Sequence, residues 1–205
     1  MTLASKRLYL IFALLMTLAG CTTVQTPVTQ VNWQAHQTKL EQLDQYRLSG
    51  KLGYISPQKR QSMNFQWIKS PDKTDLRLTN FLGQTVLHLT VDSHGAKVET
   101  YDDQVFTDPN PEVLITRLTG LVLPLKSLQD WIVGLPSNAD DYILNTNNTL
   151  ASLVKTIGGQ RWLVTYTDYG EYPKGKETLP LPTKLKLVQN QTKLHIVITK
   201  WTLPQ

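Results

Sequence analysis

Apolar and polar positions alternate with a period of two along most of this chain, the signature of half-buried antiparallel strands. Short alternating runs cover residues 48–55, 62–69, 74–79, 85–91 and 96–101. Met63, Phe65 and Trp67 share one face of the second run, and Leu87, Leu89 and Val91 share one face of the fourth. The breaks at Pro57, Pro71-Asp72, residues 81–83 and residues 93–95 are too short to hold crossover helices, so consecutive strands must be antiparallel neighbours. Alternation returns over residues 151–155, 162–167, 184–188 and 193–201, with Ile157-Gly158-Gly159-Gln160 as a hairpin turn that leaves Trp162, Val164 and Tyr166 on one face.

Three stretches break this rhythm with helical spacing. Trp33, His36, Leu40 and Leu43 recur every three or four residues, predicting a helix that ends near Asp44. Asn110 ahead of Pro111 and Glu112 is a good helix start, Leu114 and Leu118 align one turn apart, and Gly120 supplies a stop. A third helix starts near Pro124, presents Leu125, Leu128 and Trp131 or Ile132, and stops at Gly134 before Pro136. Each has one apolar side to bury.

The apolar run over residues 8–19 follows Lys6 and Arg7 and is too short to cross a hydrocarbon core of roughly 30 Å, so it reads as a signal-peptide core. Leu18-Ala19-Gly20-Cys21 behind it resembles a bacterial lipobox. Residues 1–20 are therefore expected to be a lipoprotein signal peptide, and Cys21 the acylated N-terminus. Thr22, where an aspartate would favour retention in the inner membrane, implies the outer membrane. Residues 21–31, rich in Thr, Gln, Val and Pro, read as an acylated tether. Residues 32–205 are expected to form one domain.

Cys21 is the only cysteine of the 205 residues, so the domain must rest on its core and not on disulfides. The formal charge of +5 becomes +3 once Lys6 and Arg7 are removed, and lysines alternate with acids. That is a solvated surface, not a nucleic-acid footprint. Four scattered histidines offer no metal spacing, no serine sits in a nucleophile elbow, and no glycine loop cradles phosphate. Asp102-Asp103 and Asp140-Asp141 are loop pairs whose carboxylates repel and face water. The expectation is a protein without enzymatic activity, metal or cofactor.

The order and spacing of several segments resemble the LolB family of outer-membrane lipoprotein receptors. They are Trp33 with His36, residues 48–55, Phe65-Gln66-Trp67, Leu78-Thr79-Asn80-Phe81-Leu82-Gly83, Leu118-Thr119-Gly120, Trp131-Ile132-Val133-Gly134-Leu135-Pro136, residues 162–169 and Trp201. The resemblance covers nearly the whole mature chain. It implies a mainly β fold with some α structure, an incomplete antiparallel barrel closed by helices over an apolar cavity. It further implies a monomer that accepts acylated lipoprotein cargo from the periplasmic carrier LolA and inserts it into the inner leaflet of the outer membrane. Under this resemblance Trp67, Trp131 and Trp162 are the expected cavity walls, joined by Met63 and Phe65 from the same strand face. Leu82 matches a protruding leucine implicated in membrane insertion, and Phe81 stands where the family usually has proline. Carrier contact is expected at a basic rim of Lys51, Lys59, Arg60 and Lys69. An envelope lipid- or quinone-binding lipoprotein of the same fold is the alternative, separable by the cargo it carries.

Overall fold

The computed structural model describes residues 28–120 and 123–204. Helix α1 (Trp33–Glu41) leads into six strands, β1 (Tyr46–Ile55), β2 (Arg60–Ser70), β3 (Lys73–Thr79), β4 (Thr85–Asp92), β5 (Gly95–Thr100) and β6 (Val105–Asp108). Helices α2 (Pro111–Thr119) and α3 (Leu125–Val133) follow. Five strands complete the chain: β7 (Asp141–Leu144), β8 (Leu150–Ile157), β9 (Gln160–Lys174), β10 (Glu177–Gln189) and β11 (Thr192–Thr202).

All eleven strands form one antiparallel sheet in the order β6-β5-β4-β3-β2-β1-β11-β10-β9-β8-β7. Every pairing joins sequence neighbours except that of β1 with β11, which brings the two ends of the domain together at the middle of the sheet. The edges are β6 and β7, consecutive in sequence and unpaired with each other, so the sheet is an incomplete barrel. The chain between these edges contains α2 and α3, which pack on the inner face. This is the expected fold class.

Alternation sets which side chains turn inward. Tyr46, Leu48, Leu52 and Tyr54 of β1 are buried while Arg47 and Lys51 face out. Gly50 continues the inward row at a bulge where β11 approaches closely. A Cβ there would lie 2.0 Å from the Val197 carbonyl oxygen, so the position admits no side chain.

The helix caps form as predicted. The Asn110 side chain accepts from the amides of Glu112 at 2.9 Å and Val113 at 3.3 Å, and Gly120 and Gly134 close α2 and α3 in left-handed conformation. Helix α1 stops at Glu41, short of Asp44, yet Leu43 beyond it is still buried. The four-residue edge strands β6 and β7 carry too little alternation to be recognised. Strand β10 begins at Glu177, ahead of the expected start at Lys184, which follows from reading Pro180 and Pro182 as strand breakers. Both prolines are accommodated within the β9–β10 ladder, next to a register shift at Pro182.

Of the expected tether, residues 21–31, only residues 28–31 are among the described residues. The Thr29 amide donates to Glu171 Oε1 at 2.8 Å, and Val31 exchanges hydrogen bonds with Asn147 and Asn148. Residues 29–31 are thus fastened to the domain. Cys21 and the expected signal peptide, residues 1–20, lie outside the described residues.

Candidate functional site: an inner-face cleft and two hairpin tips

On the inner face of β2–β5, side chains stack in rows across the strands. Phe65, Leu78 and Leu87 form one row; Trp67, Leu76, Leu89 and Val98 form the next. Helices α2 and α3 cover this face without filling it. One pocket of about 210 Å³ is bounded by Trp67, Leu76, Leu89, Val91, Pro111 and Leu125, with Lys126 and Gln129 among its polar neighbours. A second of about 400 Å³ lies further along the same strands, bounded by Met63, Leu78, Leu87, Phe106 and Leu118. Its rim carries Lys59, Val86, Tyr101 and Gln104.

Met63 and Trp67 therefore line open space, while Phe65, on β2 between them, lines neither pocket. Trp131 and Trp162 also line neither. Their rings lie 6.4 Å apart, at 0% and 2% exposure, in the buried core. The Tyr166 hydroxyl donates to the Trp131 carbonyl at 2.8 Å and fixes the C-terminal end of α3 to β9. The indole N–H groups of Trp67 and Trp131 are buried without an acceptor.

The loop between β3 and β4 is held by one side chain. Asn80 Oδ1 accepts from the amides of Leu82 at 2.9 Å and Gln84 at 3.0 Å, its side-chain amide donates to Gln84 Oε1, and backbone bonds join Asn80 to Gly83 and Gln84. Gly83 takes the left-handed turn position, with φ of 81°. This frame projects Phe81 and Leu82 into solvent, at 87% and 68% exposure.

The loop between β5 and β6 repeats the design. Thr100 and Gln104 replace Asn80 and Gln84 in the closing backbone bond, and Asp103 occupies the left-handed position at φ of 58°. Tyr101 takes the place of Phe81 and is 80% exposed. Alternation over residues 96–101 places Tyr101 at the end of a strand, whereas the strand ends at Thr100 and Tyr101 opens the loop. The signal available was the repeated pattern of an aromatic followed two residues later by a residue tolerant of positive φ, then glutamine.

The proposed basic rim does not assemble. Lys59 and Arg60 lie at the end of the sheet bearing these tips, whereas Lys69 is at the opposite end of the same long strand and Lys51 faces out between them. Alternation and strand length separate residues that look clustered in sequence. Elsewhere, His88 bridges Asp75 at 3.2 Å and Glu99 at 3.4 Å on the outer face. Among the described residues no helix is long and apolar enough to cross a membrane, and no group of His, Cys, Asp and Glu is placed to hold a metal ion.

Residues 44–201 match the family described as outer membrane lipoprotein LolB. The outer-membrane lipoprotein LolB of Vibrio cholerae serotype O1 is 52% identical over 198 residues, covering 97% of each chain. That of Vibrio vulnificus is 51% identical over 91% of this chain and 92% of its own, and that of Serratia proteamaculans 36% identical over 92% of both. Among solved structures, a LolA superfamily protein from Nitrosomonas europaea superposes with a TM-score of 0.51 at 10% identity, over 85% of this chain and 94% of its own. At that identity the likeness concerns the fold alone.

Proposed function

The chain belongs to the LolB family of outer-membrane lipoproteins, and from that membership we propose that it binds the acyl chains of lipoprotein cargo in the inner-face cleft and releases them beside the Phe81-Leu82 loop. It is an outer-membrane receptor in lipoprotein transport. The finer reading assigns Cys21 as its lipid anchor, the carrier LolA as donor, and transfer without enzymatic chemistry.

One observation supports this reading: the pocket lined by Met63, Leu78, Leu87, Phe106 and Leu118 lies at the end of the sheet where an apolar, solvent-exposed loop protrudes. Acyl chains gain about 0.8 kcal/mol per buried methylene, so modest differences in coverage between donor cleft, receptor cleft and bilayer can set the direction of transfer. A donor with the same type of cleft needs no nucleotide to hand over its cargo. The gap between α2, α3 and the sheet suits a flexible ligand, with Met63 and Trp67 as first contacts and Phe65 between them. Trp131 and Trp162 form the buried wall behind. The unpaired Trp67 indole N–H is available to an acyl carbonyl, which would relieve a buried group that has no acceptor.

Leu82 serves release. Burying one leucine contributes about 1.5 to 3 kcal/mol, enough to bias the loop toward lipid and far too little to anchor the protein. Leu82→Glu should leave folding and acceptance from LolA nearly intact while blocking insertion, because a charge at the tip resists entering hydrocarbon. Separate assays of acceptance and insertion test this. Equal loss of both, or normal insertion, would overturn the role of the loop, and free lipid as the sole crosslinked cargo would overturn the lipoprotein cleft.

A further inference from the structure

The two exposed hairpin tips stand at different heights. Strand β3 pairs with β4 up to Thr79 opposite Thr85, and the loop beyond is closed between Asn80 and Gln84. Strand β5 ends at Thr100, which lies opposite Leu87 and hence level with Leu78. The Tyr101 loop, closed between Thr100 and Gln104, therefore sits two residues lower than the Phe81 loop, about 7 Å along the strands. The polar layer on each side of a bilayer is about 5 to 8 Å thick. With the strands along the bilayer normal, a Phe81-Leu82 loop that reaches hydrocarbon brings Tyr101 into the headgroup layer. An amphipathic tyrosine ring is favoured at that depth.

The outer face below Tyr101 has matching chemistry. A cleft of about 690 Å³ separates the two tips, lined by Asn80, Gln84 and Tyr101 near its mouth and by Arg77, His88 and Glu99 further down. Arg77, His88 and Glu99 form one cross-strand row, one residue below Thr100. Of the carboxylates nearby, Asp75 is engaged by Lys73 and His88 and Glu99 by Lys97 and His88, while Asp103 lines the cleft on the Tyr101 loop itself. Arg77 is exposed and is left without a carboxylate partner among the described residues. A guanidinium on a long stem at this level can reach lipid phosphates while its base stays in water.

We infer that the β5–β6 tip and the cleft beside it form a second membrane contact, in which Tyr101 lies in the phospholipid headgroup layer and Arg77 takes a lipid phosphate, so that the Phe81-Leu82 loop inserts to a fixed depth. The inference rests on the loop role proposed above and adds a depth stop to it. A single protruding loop leaves tilt and depth free. Two staggered contacts hold the mouth of the pocket, whose rim includes Tyr101, against the surface that receives the acyl chains.

Depth-resolved quenching tests this on the full lipidated chain. Tyr101→Cys, Phe81→Cys and Lys176→Cys variants would each carry an environment-sensitive fluorophore and be reconstituted in vesicles of phosphatidylethanolamine with a minor share of phosphatidylglycerol. Lys176 lies in the β9–β10 hairpin at the opposite end of the sheet. Nitroxide on the lipid headgroup should quench the probe at position 101, nitroxide midway along the acyl chain should quench the probe at 81, and neither should quench the probe at 176. A quenched 81 with a silent 101 overturns the second contact and leaves the loop role standing. Equal mid-chain quenching at 81 and 101 overturns the depth stop. Silence at both overturns the loop role and the inference together. Adding Arg77→Gln should lower the occupancy of the headgroup-quenched state about fivefold; unchanged quenching would remove Arg77 from the surface.

Discussion

The two wings of this sheet follow the same alternating rule and end differently: the wing of β2–β5 borders the two pockets described above, and the wing of β8–β10 borders neither. In the wing of β8–β10 Leu150, Leu153, Val164, Leu179, Leu181 and Leu187 are at most 1% exposed, and the rings of Trp131 and Trp162 meet at a tilt of 49°. Hydrogen bonds from Tyr166 to Trp131 and from Tyr169 to Leu150 tie the parts together. In the wing of β2–β5 Trp67, Leu76 and Leu89 are nearly as buried, yet they border a pocket. Helix α2 packs against β5 and β6 at the sheet edge, which leaves room over β2–β4. Low exposure alone does not tell a filled core from the lining of a binding cleft.

The largest contrast should come from removing a tryptophan in each wing. Trp131→Ala is expected to cost about 4 kcal/mol, and Trp67→Ala at least about 1 kcal/mol less, since Trp67 already lacks neighbours on its pocket side. Urea unfolding of both variants checks this, and equal losses would mean that the wing of β2–β5 is packed as tightly as the other. Next in size is the seam where β1 meets β11. Gly50→Ala would drive a methyl into the Val197 carbonyl and should cost about 3 kcal/mol in the same measurement.

Enlarging side chains reverses the test. Leu187→Phe in the wing of β8–β10 should lose about 1 to 3 kcal/mol, whereas Leu89→Phe can expand into the pocket with a smaller loss while acyl binding falls. Calorimetric stability and binding of a fluorescent acyl analogue separate the two outcomes. The smallest effect concerns His36, outside both wings on α1. Burial, reinforced by the charge of Lys39, lowers its pKa from 6.5 to about 4. The unfolded chain therefore binds a proton below about pH 6.5 that the folded chain refuses until about pH 4, so the His36 contribution is complete above the first value and is lost as pH falls toward the second. Urea midpoints at about pH 7.5 and about pH 5 should differ less in His36→Gln than in the parent chain.

Local patterning on its own determined much of this protein. Alternation located most strands and their inward faces, Asn110, Pro111, Gly120 and Gly134 bounded two helices, and the break at residues 81–83 marked a turn between two strands. These features are encoded within a few residues, where periodicity and cap or turn chemistry act. Edge strands β6 and β7 and the proline-bearing start of β10 escaped because pairing with a neighbouring strand, and not their own composition, holds them extended. The tertiary structure alone decided which buried tryptophan borders a pocket, that Lys69 stands far from Lys59, and that the Tyr101 tip lies two residues below the Phe81 tip. Each depends on register and on where helices stop short of a sheet. A void or a stagger is a relation between distant segments, and no local run of side chains carries it.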